Sequence, residues 1–394
     1  MPVSKFIKES ITKSSWIRKM FEEGIRLKKE FGAENVYDFS LGNPDLDPPE
    51  KFFETFLEFA GKKTRGAHSY MPNAGSDEAR KAIAEKVTKD HGVETSAKQI
   101  VMTVGAAGGL NAVFKTILDP ADEVIVIKPY FVEYNFYITN HGGAPVHVDS
   151  KPDFSIDVDN IKKAITDKTR AVLINSPNNP TGKIYHADEI KALAELLKSE
   201  SSARGKIIYI ISDEPYREIV YDGAVVESIL KHYKNSIVVN SYSKSLSLPG
   251  ERIGYIAASS SADGFDELMS GLILSNRILG FVNAPALMQR IVAKLNETSV
   301  DVSVYKKRRD IFVSGLKEAG YDFNEPEGAF YIFCKSPGGN DIEFVQHLQK
   351  FNILVVPGTG FGAPGYFRIA YCVNDDVIKR AIPLFKEAIS SYRK

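Results

Sequence analysis

Apolar and polar positions alternate along this chain with two different periods. Between Trp16 and Glu30 the apolar residues Trp16, Ile17, Met20, Phe21, Ile25 and Leu27 return at helical spacing, which predicts an amphipathic helix packed on the body of the protein. The stretch Val36-Tyr-Asp-Phe-Ser-Leu-Gly-Asn-Pro-Asp-Leu-Asp-Pro-Pro49 then reads as a short strand breaking into a loop rich in Gly and Pro. From there short apolar runs predict strands near 99–104, 122–128, 143–149, 170–175, 207–212, 236–241 and 252–258, with helical stretches between several of them, for example from Ala187 to Lys198. Such alternation predicts an α/β fold, a largely parallel seven-stranded sheet covered by helices on both faces. Ligands on such sheets collect at the carboxyl ends of the strands.

After about residue 290 the pattern changes. A long helical region from Asp301 to Glu318 precedes a shorter α+β region, with Ala329-Phe-Tyr-Ile-Phe, Ile353-Leu-Val-Val and Tyr366-Phe-Arg-Ile-Ala as strands. Because terminal segments often pack together, we expect a large lobe over residues 46–290 and a smaller α+β lobe built from residues 1–45 and 291–394.

Composition narrows the class. At 394 residues the chain is long enough for two or three lobes, and 43% hydrophobic with 25% charged residues is ordinary for a soluble globular protein. Formal net charge is zero, so no global field draws it to nucleic acid or an anionic membrane. Its two cysteines, Cys334 and Cys372, are far apart and read as small core residues in a reducing compartment, not as a disulfide or a metal site. Residues 1–31 lack the apolar core and cleavage site of a signal peptide, and no apolar run reaches the roughly 18 residues of a spanning helix. The expected location is the cytoplasm.

Candidate chemistry centres on Ser241-Tyr-Ser-Lys-Ser-Leu-Ser-Leu-Pro-Gly-Glu-Arg-Ile-Gly254. This polar loop lies between two apolar runs, so Lys244 is held by the scaffold and can face a cavity. Arg252 adds a guanidinium suited to a phosphate, and Ser241 and Ser243 add hydroxyls. By residue type alone this is a solvated basic loop, or else a place to hold a phosphorylated carbonyl compound as a Schiff base. Four further segments follow predicted strands. Gly105-Ala-Ala-Gly-Gly-Leu opens a helix and reads as a packing turn or an anion seat. Phe131 follows Lys128-Pro-Tyr, and Asn175-Ser-Pro-Asn-Asn-Pro-Thr-Gly182 reads as a turn. Ser212-Asp-Glu-Pro-Tyr216 carries a carboxylate out of a buried strand, where it needs a cationic or donor partner.

Ser-x-Ser-Lys followed by Gly-x-Arg-Ile-Gly, together with Asn-Pro-Thr-Gly and Asp-x-x-Tyr in this order, resembles class I/II aminotransferases of the aspartate aminotransferase type. These are pyridoxal 5'-phosphate (PLP) enzymes of fold type I. The resemblance runs from about Tyr37 to Ala370. It implies that Lys244 carries PLP as a Schiff base and moves the proton. Asp213 would pair with the pyridine nitrogen, and Asn179 and Tyr216 with the phenolic oxygen. Gly105, Ala106, Ala107, Ser241, Ser243 and Arg252 would hold the phosphate side, and Phe131 would stack on the ring. Arg368 resembles the arginine that clamps the substrate carboxylate, and Gly42 falls at the substrate mouth. Tyr70, in His68-Ser-Tyr-Met-Pro-Asn-Ala-Gly75, resembles a tyrosine that reaches the neighbouring subunit's phosphate, which implies a homodimer with shared sites.

The implied reaction passes an amino group between an L-amino acid and a 2-oxo acid in ping-pong half-reactions. Aspartate or glutamate is the first choice of substrate, with aromatic or small neutral amino acids next. Ala107 stands where some relatives carry a lysine, so Arg277, in Ser275-Asn-Arg-Ile-Leu-Gly-Phe, is the candidate cation for a second carboxylate; a helix-surface arginine is the equal alternative. The same motifs also suit a PLP-dependent carbon–sulfur β-lyase or decarboxylase. A PLP-sensing regulator would need a DNA-binding domain for which there is no room before Tyr37.

Overall fold

The computed structural model describes residues 2–12 and 16–392. Among the described residues twelve strands follow in chain order: β1 (Tyr37–Asp38), β2 (Ile100–Thr103), β3 (Glu123–Lys128), β4 (Ala144–Asp149), β5 (Thr169–Asn175), β6 (Tyr209–Asp213), β7 (Ser236–Ser241), β8 (Gly254–Ala258), β9 (Tyr331–Lys335), β10 (Ile353–Leu354), β11 (Val356–Pro357) and β12 (Tyr366–Ala370). Seven of them form one sheet in the order β2-β8-β7-β6-β5-β3-β4. Pairings from β4 through β7 are parallel, whereas β8 runs antiparallel to both β7 and β2.

The strands are apolar on both faces because helices cover both. Residues one apart along a strand face opposite ways. Ile125, Val172, Ile210 and Val238 meet the helices Asp77–His91 and Ala187–Arg204 through Ile83, Val87, Leu193 and Leu197. Val124, Leu173, Ile211 and Val239 meet the helices Gly105–Ile117 and Phe265–Ile278 through Val113, Phe114, Leu268 and Leu272. A third apolar cluster is aromatic. It joins Phe39, Phe312, Phe330, Phe333, Phe344, Phe367 and Phe385, and it also takes in Tyr216, Ile219 and Tyr221 from the segment after β6. The segment leaving Asp213 is thus packed into that aromatic core.

Several boundaries differ from the sequence reading, for local reasons. The predicted strand at 252–258 begins only at Gly254, because Arg252 takes a left-handed backbone with φ near 50°. The strand expected from Ala329 begins at Tyr331, since Ala329 has φ near 56°. The apolar run from Ile353 splits: β10 pairs in parallel with β1, while β11 pairs antiparallel with β12. Lys244 stands not on a loop but on a single helical turn, Tyr242–Ser245, directly after β7. The helix expected over 16–30 spans Trp16–Phe31, with Met20 and Leu27 buried; the side chains of Ile17 and Phe21 lie outside the described residues. Among the described residues no helix is long and apolar enough to cross a membrane.

Candidate active site

A cavity of about 320 Å³ opens where β5, β6 and β7 end in Asn175, Asp213 and Ser241. Twelve of the fifteen candidate residues line it: Gly42, Ala106, Ala107, Phe131, Asn179, Asp213, Tyr216, Ser241, Ser243, Lys244, Arg252 and Arg368. Gly105 sits just behind the wall. A Cβ added to it would lie 3.0 Å from Arg252 Nη2, so the guanidinium rests over the start of the helix Gly105–Ile117. Positive charge and the free N–H groups of a helix N-terminus are thereby brought together, a setting that favours an anion. Arg252 Nη1 donates to the Pro249 carbonyl at 2.9 Å.

Asp213 is fully enclosed. Its Oδ2 accepts from the Tyr134 hydroxyl at 2.6 Å, while Oδ1 is buried with no partner. Burial pushes the carboxyl up to about 7, the neighbouring Glu214 adding to the rise and the Tyr134 hydrogen bond opposing it. An oxygen left bare in this way costs free energy unless a donor or cation arrives. Asn175 fixes the two loops that frame it. Its Nδ2 donates to the Asp213 carbonyl at 2.8 Å, and its Oδ1 accepts from the Asn179 backbone N–H at 2.7 Å.

Lys244 Nζ donates to the Gly42 carbonyl at 2.7 Å and lies 5.8 Å from the Tyr216 ring centre and 5.5 Å from that of Phe330. Burial pulls its ammonium down to about 8. Arg368 and Arg252 push the same way, against the Cys372 thiol. An amine with a value this near neutrality is a nucleophile and a proton acceptor at ordinary pH.

Arg368, on β12, is 2% exposed. Nη1 donates to Asn179 Oδ1 at 3.0 Å and Nη2 to the Ser40 carbonyl at 2.5 Å; Nε is buried without an acceptor. Its guanidinium carbon lies 4.6 Å from the Tyr331 ring centre and 4.8 Å from that of Phe361. A rigid, dry guanidinium with spare donor capacity is suited to a carboxylate. Tyr216 exchanges a 2.6 Å hydrogen bond with the Tyr331 hydroxyl.

Two candidates lie elsewhere. Tyr70 is 91% exposed and faces a separate cleft beside Phe281 and Asn283. Arg277 is exposed in the last turn of Phe265–Ile278. Neither reaches the cavity of its own chain. Conversely, the cavity includes Tyr134, Asn175 and Tyr331, to which the sequence reading gave no role. Asn175 carried a signal, as a polar residue closing an apolar strand. The two tyrosines carried none, because aromatics at helix or strand spacing read as core.

Similarity to known proteins agrees with this geometry. Residues 34–384 match the family described as aminotransferase class I and II. The chain is 34% identical over 358 residues to a probable aspartate/prephenate aminotransferase of Thermus aquaticus, covering 89% of this chain and 90% of that one. It is 36% identical over 381 residues to the probable aspartate/prephenate aminotransferase of Aquifex aeolicus, covering 92% and 93%. Among solved structures, an aminotransferase from Eubacterium rectale superposes over the full length of both chains with a TM-score of 0.97 at 40% identity. The aspartate aminotransferase of Thermus thermophilus with maleate gives 0.87 at 28% identity, covering 98% and 99%. With the family matched across most of its length and a cavity holding an amine, a bare carboxylate and a buried guanidinium, this chain belongs to the class I and II aminotransferases.

Proposed function

We propose that this transaminase uses PLP bound through Lys244 to move the amino group of an L-amino acid to a 2-oxo acid, with aspartate or glutamate the first choice of substrate. The observation that carries the reading is the unpartnered Oδ1 of Asp213, facing the same cavity as Lys244 and Arg368. When bound, PLP supplies a carbonyl carbon that condenses with amines and a protonated ring that accepts the electrons of a broken Cα–H bond. The residues present fit it. Asp213 Oδ1 can accept from the ring nitrogen, and Asn179 and Tyr216 can reach the phenolic oxygen. The start of Gly105–Ile117, with Ser241, Ser243 and Arg252, can hold the phosphate, and Phe131 offers a π-face.

The chain's own residues then have separate tasks. Arg368 holds the substrate α-carboxylate and so orients its Cα–H bond toward Lys244. Lys244 Nζ, neutral near pH 8, takes the α-proton and in the reverse half-reaction returns one to the α-carbon. We read the protein as a cytoplasmic homodimer in which Tyr70 serves the neighbouring site, with a large lobe over 46–290 and a small one over 1–45 and 291–394. In such a dimer Arg277 from the partner is the candidate cation for a second carboxylate. Its exposure in the single chain supports a role between subunits as readily as a role in solvent.

The test begins with borohydride reduction of the yellow holoenzyme and peptide mapping, which should place the label on Lys244. Single-turnover mixing with each amino acid should then convert the chromophore fastest with aspartate or glutamate. Arg277→Ala should lower kcat/KM for these two by about tenfold and spare alanine and phenylalanine. Label on another lysine overturns the central assignment. Equal loss across all four substrates removes Arg277 from substrate recognition, and release of sulfide with free ammonia, or of carbon dioxide, in place of amino-group transfer to an oxo acid points to lyase chemistry.

A further inference from the structure

One residue joins the two ends of the cavity. Tyr331, on β9, is 1% exposed and has no part in the roles assigned above. Its ring lies 4.6 Å from the Arg368 guanidinium, and its hydroxyl lies 2.6 Å from the Tyr216 hydroxyl. The position is built with care by the backbone. A Cβ on Gly42 would overlap the Tyr331 hydroxyl, so a side chain at 42 would displace it. Gly42 also accepts from Lys244, which places Tyr331 against the same turn that holds the reactive amine.

A phenol has a single proton to donate. In a pair of phenols one donates and the other accepts, and only the acceptor keeps its own proton for a third group. We propose that Tyr331 is the donor of this pair, a positioning residue that turns the Tyr216 proton into the cavity while its ring packs against the Arg368 guanidinium. The cation at the Tyr331 ring is the closer one, 4.6 Å against 5.8 Å for Lys244 at Tyr216, which favours this direction, since it makes that hydroxyl the more acidic of the two, and the more acidic phenol is the stronger donor. Burial raises both, Tyr331 up to about 12 and Tyr216 well above its ordinary value. The other groups facing Tyr216 are Lys244, Arg368, Cys372 and Tyr134, and none of them has a hydrogen bond to its hydroxyl. A hydrogen bond received by Tyr216 strengthens the one it gives, because chained hydrogen bonds polarise one another.

This inference rests on the reading that the cavity takes PLP, whose phenolic oxygen is the acceptor for the Tyr216 proton. The experiment is a pH titration of the visible absorption band of the holoenzyme, arranged as a double-mutant cycle. Tyr331→Phe should raise the midpoint by about one unit, a change of the size expected for one hydrogen bond. In a Tyr216→Phe background the same substitution should leave the midpoint where it is. A second readout separates the ring from the hydroxyl: maleate binding, followed by the change in the same band, should stay within about threefold in Tyr331→Phe. It should weaken about tenfold in Tyr331→Leu, which loses the face against Arg368. An unmoved midpoint in Tyr331→Phe, or an equal shift in both backgrounds, overturns the proposal. So does maleate affinity that falls as far with Phe as with Leu. If wild-type protein gains no borohydride-reducible band with PLP, the reading of the cofactor falls first and takes this inference with it.

Discussion

At the scale of single residues, the buried acid Asp213 makes the protein sensitive to pH before any ligand arrives. Its carboxyl titrates near 7 in the folded chain and near 3.8 when exposed, so folding holds the proton more tightly. The resulting contribution to stability is complete below about pH 4 and is lost as pH rises through 7. Ligand-free Asp213→Asn should therefore melt higher than ligand-free wild type at pH 8, by about 2 °C or more, with the gap closing toward acid pH. With PLP added the order should reverse, because only the carboxylate gains a cationic partner, and turnover of the Asn variant should be largely lost. Differential scanning fluorimetry with and without PLP checks both halves; no gap at pH 8 would mean that Asp213 is solvated in the free protein. Asp213 and Arg368 were legible in the sequence because each is a charge closing or interrupting an apolar run, which needs a reason, and Lys244 through the Ser-x-Ser-Lys motif on a polar segment between two such runs. Tyr134 and Tyr331 were not. Their rings satisfy the core pattern completely, and only the position of the hydroxyl distinguishes them from Phe.

Among the elements, β8 does most to shape the site. Gly254 pairs with Ser241 on one side and Thr103 on the other, and a Cβ there would overlap the Asn240 carbonyl and come within 2.9 Å of the Gly105 backbone. Gly254→Ala must therefore push β8 away from β7 and from the turn that begins Gly105–Ile117. The expected cost is about 1–3 kcal/mol of stability, with weaker PLP binding if the groups proposed to hold its phosphate, which sit on both sides of the displaced strand, have that role. Urea denaturation and a PLP titration read the two effects; a variant with unchanged urea midpoint would show that the sheet absorbs the methyl. The sequence announced β8 as a strand through its apolar run but left its direction open. Hydrophobic period records burial and not polarity, and the local left-handed turn at Arg252 that sets the entry into β8 leaves no apolar signature.

For the whole molecule, the alternation of strands and helices was enough to read the sheet, because its central strands are buried on both faces and carry apolar runs. What the pattern could not record is which surfaces meet a second copy. Tyr70, Leu274 and Ile278 are exposed in the single chain, at 91%, 47% and 54%. If Tyr70 serves the neighbouring site of a homodimer, Tyr70→Ala and Lys244→Ala proteins should each be impaired alone. Mixed and allowed to exchange subunits, they should regain activity, because a hybrid carries one site with both residues. Failure to recover activity, with exchange confirmed by mass, would confine Tyr70 to its own chain.

The parallel pairing of β1 with β10 bears on how the enzyme is made in the cell. Tyr37 lies beside Ile353, the Phe39 carbonyl receives the Ala370 N–H, and Ser40 receives Arg368. Residues 37–40 are synthesised well before these partners, which follow more than three hundred residues later. Until then the Gly42 carbonyl has no fixed place, and the amine of Lys244 has neither that acceptor nor the neighbouring guanidinium. Contacts this distant in sequence close late. A nascent chain halted before residue 370 is thus expected to hold Lys244 without the complete surroundings it has in the finished protein.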